Sequence, residues 1–206
     1  VSTKFLPAHP DHPARHTPPA PRQTAAALLA GTLPRSALLS APPPGGLRYR
    51  AWQFFAALRA RVRPHERAMA ALALSPAELR LFDAMPLYDR RHCLDVHATL
   101  VAAGHTDELL LRAALFHDCG KLDDAGRPMP IAWYVLATLL KRSPGLYLAA
   151  ARLLAPVRIY AEHAARGARM AAAAGSPPEV VDTIRHYHDP APRDRAAVLQ
   201  WADEQH

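Results

Sequence analysis

The run Glu108–Lys121, Glu-Leu-Leu-Leu-Arg-Ala-Ala-Leu-Phe-His-Asp-Cys-Gly-Lys, constrains the fold more than any other part of the chain. From Leu109 to Phe116 every position except Arg112 is apolar, and Thr106-Asp107-Glu108 opens the run with acid where a helix dipole favours it. A helix apolar nearly all round has no face to offer water, so it must be surrounded by other elements. His117 and Asp118 then stand where another core residue is expected. Burying an imidazole beside a carboxylate is costly unless something pairs them, and a divalent cation pairs both.

The elements needed to surround this helix are also helical. Trp52, Phe55, Ala56 and Arg59 share one face of a first helix. Ser75-Pro76-Ala77-Glu78 reads as a capping box, opening a helix through Leu79, Leu81, Phe82 and Met85. A further helix runs from about Asp89 to Gly104, and Asp123-Asp124-Ala125-Gly126 forms a turn. Two apolar helices follow near 131–142 and 145–155, broken at Ser143-Pro144-Gly145 and assigned to core packing. Another runs from about Arg158 to Gly175. Ser176-Pro177-Pro178-Glu179 reads as a second capping box before Val180, Val181 and Ile184, and a last helix spans about 193–205. No alternating strand pattern and no solenoid repeat is present. The expectation is an all-α bundle of about seven to nine helices.

Ten of the 21 prolines fall in residues 1–44, so 1–46 is expected to be a disordered Pro/Ala-rich tail ahead of a domain at 47–206. The first residue is Val, which reads as a trimmed chain or as a non-ATG start translated literally. The net charge of +7 and pI near 9.9 invite an anionic partner. Residues 1–67, however, hold ten basic and two acidic side chains, against fifteen and sixteen in 68–206. A near-neutral domain argues against nucleic acid. Cys93 and Cys119 form neither a disulfide framework nor a zinc-finger spacing, and read as buried thiols in a reducing compartment. The apolar stretch 128–140 is too short to span a membrane, and the Ala/Leu run at 25–33 makes no secretory signal. A soluble cytoplasmic protein follows as the expectation.

Lys121 is one of three lysines beside 22 arginines, so a compact charge on a flexible stem reads as wanted at that position. Leu115-Phe116-His117-Asp118-Cys119-Gly120-Lys121 resembles the signature of the HD superfamily of metal-dependent phosphohydrolases. Asp89-Arg90-Arg91-His92-Cys93-Leu94-Asp95-Val96 resembles that family's upstream helix, and Val198-Leu199-Gln200-Trp201-Ala202-Asp203-Glu204 its last one. The resemblance covers about 47–206 and implies an HD-type helical bundle with His92, His117, Asp118 and Asp203 as metal ligands. Some branches hold a second metal through two more histidines. Glu162-His163-Ala164-Ala165-Arg166-Gly167 resembles the helix that supplies the first. At the second, Ile184-Arg185-His186-Tyr187-His188 places tyrosine in an expected histidine position, with His188 the choice and His186 the reserve.

The chemistry thus implied is phosphate-ester hydrolysis on a nucleotide or other small phosphate-containing substrate. One or two divalent ions (Mn, Fe, Mg or Ni) would supply a hydroxide, with Asp118 and Lys121 as catalytic residues. The alternatives are an HD-type di-iron oxygenase and a non-catalytic, metal-stabilised module that binds a nucleotide or a partner. His97 and His105 read as structural, Trp133 and Tyr134 as core, and Arg90, Arg91 and Arg127 as candidates for holding phosphate.

Overall fold

At the entries to the helices that open at Pro76 and Glu108, the chain's own side chains close the exposed amides. Ser75 Oγ accepts from the Glu78 amide at 3.3 Å while Glu78 Oε2 accepts from the Ser75 amide at 2.8 Å, so the first capping box forms. Asp107 caps the central helix by accepting from the Leu109 and Leu110 amides. The computed structural model describes residues 60–206; the tail 1–46 and the first helix at 52–59 lie outside them. The order is α1 (Pro64–Ala73), α2 (Pro76–Ala84), α3 (Leu87–Ala102), α4 (Glu108–Phe116), a 3-10 turn (His117–Lys121), α5 (Ile131–Leu140), α6 (Pro144–Leu153), α7 (Ala155–Ala173), α8 (Pro178–His186) and α9 (Asp194–Asp203). The described residues hold nine α-helices and no strand.

Helix α4 is central. Leu110, Ala113, Ala114, Leu115 and Phe116 are all buried. They pack with Phe82 of α2, Leu94, Val96 and Leu100 of α3, Ile184 of α8 and Leu199 of α9. Each fully buried Leu or Phe contributes about 1.5–3 kcal/mol relative to exposure, so this one cluster carries much of the fold.

Three expectations need correction. Ser176 does not cap α8: the cap position is Pro177, without a side-chain bond. Ser176 Oγ donates instead to buried Glu78 at 2.6 Å, and Arg112 Nε donates to the same carboxylate at 2.8 Å. A buried carboxylate outcompetes a helix end because its desolvation is costlier to leave unmet. Helix α7 begins at Ala155, not Arg158, because Pro156 sits in its first turn, where a missing N–H costs nothing. The helices at 131–155 are not core. Only Ala137 of α5 is buried, and no residue of α6.

Glu78 thereby pins α2, α4 and the entry to α8. Burial opposes its ionisation, but the bonds from Arg112, Ser176 and Ser75 outweigh burial and hold it below the usual carboxylate range. Its contribution is therefore present above that range and is lost as pH falls through the lowered value. Glu78→Ala is expected to cost about 3 kcal/mol by urea denaturation at neutral pH, because it strands Arg112 and Ser176. The gap between variant and wild type should narrow in acid; a gap that persists there would rule the pin out.

Candidate metal centre

The centre is assembled from the 3-10 turn, the C-terminal ends of α8 and α9, and the interiors of α3 and α7. Helical geometry fails at Phe116 (φ −144°, ψ 19°), and the chain tightens into the 3-10 turn, whose His117, Asp118, Cys119 and Gly120 are buried. Gly120 does not serve to turn the chain, since its φ is not positive. It allows close approach: a Cβ there would stand 2.0 Å from the His163 carbonyl oxygen and 2.3 Å from the Gly167 amide nitrogen. The turn therefore lies with its backbone directly on α7, which sets His163 beside Asp118. Helix α3 brings His92, α9 ends on Asp203, and α8 ends beside Tyr187 and His188.

His92, His117 and Asp118 can chelate a metal ion: each offers one donor atom, and the three atoms lie within 4.8 Å of one another. Asp203 joins them, its Oδ1 2.7 Å from His92 Nε2 and 3.5 Å from His117 Nε2. The donor chemistry fits a cation. His117 Nδ1 lies 2.9 Å from the Ala114 carbonyl and must donate to it, which leaves Nε2 as the atom that either carries a proton or ligates a metal ion. That Nε2 is buried without a hydrogen-bond partner, and it faces two carboxylate oxygens, Asp203 Oδ1 at 3.5 Å and Asp118 Oδ2 at 3.8 Å. A lone pair facing two carboxylates is repulsive unless a proton or a metal ion stands among them.

The charges respond accordingly. Burial works against an imidazolium at His117, but Cys93, Asp118 and Asp203 outweigh it and hold its pKa well above the ordinary value. Burial also opposes the Asp118 carboxylate, yet Lys121, His117 and His92 drive its pKa far down. Burial opposes the Asp203 carboxylate as well, and the adjacent His117 and His92 rings outweigh it and lower its pKa. Lys121 Nζ is 2.5 Å from Asp118 Oδ2 and 3.4 Å from Asp89 Oδ1.

No protein-family model, curated protein or solved structure matches this chain.

A second group faces the other oxygen of Asp118. His163 Nε2 lies 3.6 Å from Asp118 Oδ1, 2.8 Å from the Tyr187 hydroxyl and 3.1 Å from His188 Nε2. His163 is buried, and burial together with Lys121 pushes its pKa down to about 3, so the ring is neutral near pH 7. Tyr187 OH also lies 3.4 Å from Asp118 Oδ1, so the tyrosine that replaces an expected histidine is itself at the centre. The structure brings in His188 and leaves out His186, whose Nδ1 bonds Asp189 at 2.7 Å.

The arginines singled out for phosphate are engaged by carboxylates: Arg90 by Asp83, Arg91 by Glu66 and Asp95, Arg127 by Asp123. Asp89 was missed. It is buried, holds Lys121, and accepts from Tyr134 OH at 2.6 Å. Its signal was position: three residues before His92, it shares that ligand's helix face. Tyr134, read as core, is half-buried and reaches the centre from α5.

Proposed function

We propose that this chain is a metal-dependent phosphohydrolase of the HD type, acting on a nucleotide or another small phosphate ester. The observation that carries the reading is the bare Nε2 of His117 among the oxygens of Asp118 and Asp203, with His92 beside them. His92, His117, Asp118 and Asp203 would hold the ion. With imidazole and carboxylate donors and no thiolate facing the site, the set suits Mn, Fe, Mg or Ni. A divalent ion supplies Lewis acidity toward water and a phosphoryl group.

The remaining residues orient and exclude. Lys121, clamped between Asp118 and Asp89, fixes the Asp118 carboxylate with one oxygen toward His92 and His117 and the other toward His163. Its role is therefore positioning as much as neutralising charge. Neutral His163 and the Tyr187 hydroxyl form a relay beside Asp118 Oδ1, placed to accept or return a proton.

The test is metal analysis of the purified full chain and a panel of phosphomonoesters and phosphodiesters, wild type beside Asp118→Ala. Wild type should turn over at least one ester only with a divalent ion, and the variant should show neither turnover nor metal. Equal activity in the two would reject the hydrolase reading. Oxygen uptake by an iron-loaded protein would favour the oxygenase instead.

A further inference from the structure

The α5–α6 hairpin shows water an apolar surface that the core does not use. Leu146, Leu148 and Leu153 of α6 are 61%, 58% and 83% exposed, and Val135 and Leu139, four residues apart on α5, are 40% and 47% exposed. No helix among the described residues is long and apolar enough to cross a membrane, so these leucines do not belong to a span.

The charge along this stretch of the chain has one sign. From Ala125 to Ala161 the chain carries no Asp or Glu and five cations: Arg127, Lys141, Arg142, Arg152 and Arg158. Arg127 pairs with Asp123. The other four make no ion pair among the described residues, and Lys141 instead stands over the Tyr160 ring at 4.8 Å. Lys141 and Arg142 occupy the apex of the hairpin, between Leu139 and Leu146.

We propose that the α5–α6 hairpin docks onto the surface of an anionic lipid bilayer, its leucines entering the headgroup–acyl boundary and Lys141, Arg142, Arg152 and Arg158 meeting lipid phosphates. Helices that lie in the interface combine an apolar face with flanking Lys and Arg in this way. Charge selects among the possible occupants. A second copy would bring the same cations. Residues 1–59 of this chain hold seven basic side chains and one acidic, so their composition offers these cations no complementary charge. Nucleic acid would satisfy the cations and leave the leucines in water. The inference does not rest on the metal centre.

The test is sedimentation of the full chain with phosphatidylcholine vesicles, with and without phosphatidylglycerol. Wild type should pellet with anionic vesicles at low salt, be released by high salt, and stay in solution with phosphatidylcholine alone. Each cation near an anionic surface strengthens binding roughly fivefold, so Lys141→Glu with Arg142→Glu should weaken it roughly 25-fold or more. Leu146→Ser with Leu148→Ser and Leu153→Ser should weaken it comparably. All these side chains are exposed, so melting midpoints should not change. Wild type remaining in solution with anionic vesicles would overturn the proposal. So would hairpin variants that pellet like wild type, since the basic N-terminal segment would then be the lipid ligand. A wild-type dimer that the leucine variants dissociate would assign the face to a second copy.

Discussion

Gly120→Ala is expected to destabilise the fold by more than about 3 kcal/mol, beyond the usual range for overpacking. The added Cβ would meet the His163 carbonyl oxygen at 2.0 Å, the Gly167 nitrogen at 2.3 Å and the Gly167 Cα at 2.9 Å. All three are backbone atoms, so no side chain can swing away; the turn itself must lift from α7. Against a total stability of about 5–15 kcal/mol, that is a large share. Gly167→Ala provides the contrast. Its Cβ would stand 3.1 Å from the His117 carbonyl oxygen and 3.3 Å from Ile184 Cγ2, a contact that a few tenths of an ångström relieve. Alanine also regains about 1 kcal/mol of helix propensity within α7, so the net change should be near 1 kcal/mol or less. Urea denaturation of the full-length variants measures both. Gly120→Ala within 1 kcal/mol of wild type would show that the turn does not rest on α7.

The same two glycines show what was legible in the sequence. A glycine after His-Asp-Cys can be read as a place where the chain bends, but close approach between 120 and 167 is a property of two segments. Neither segment announces it alone. Local signals fared well: Ser75 with Glu78, and Asp107 before an apolar run, are satisfied within one turn of chain. The central place of α4 was legible because a helix without a polar face has only one environment open to it. Signals that depend on competition failed. Ser176 has the sequence of a cap, yet Glu78 lies 98 residues away and takes its hydroxyl. The leucines of α6 look like core because hydropathy does not record which surfaces find a partner. At the centre, His92, His117, Asp118, His163, His188 and Asp203 were legible by type and order and do come together. Asp89 showed in the sequence only its place on the His92 face, and Tyr134 showed nothing, since its role exists only through Asp89 and Lys121.

Removing divalent metal is expected to make stability fall as pH rises, and restoring it to reverse that fall. His117 has a folded pKa above its ordinary value, so its contribution is complete below that value and is lost as pH rises through the raised one. Asp118 and Asp203 run the other way. Their pKa values are lowered, so their contributions are present above the ordinary carboxylate range and are lost in acid. In chelator-treated protein the proton on His117 is the cation that offsets the two carboxylates, and alkali removes it. A divalent ion held by His117 would replace that proton, and its binding would strengthen as pH rises because the imidazole must be neutral to ligate. At a hundredfold excess over Kd the ion should add about 2.7 kcal/mol. Asp118→Asn should abolish that increment without unfolding the chain, because Asp89 still holds Lys121. Denaturant titrations with chelator and with Mn2+, on either side of neutrality, measure the effect. An increment independent of pH, or equal in Asp118→Asn and wild type, would place the ion elsewhere than among His92, His117, Asp118 and Asp203.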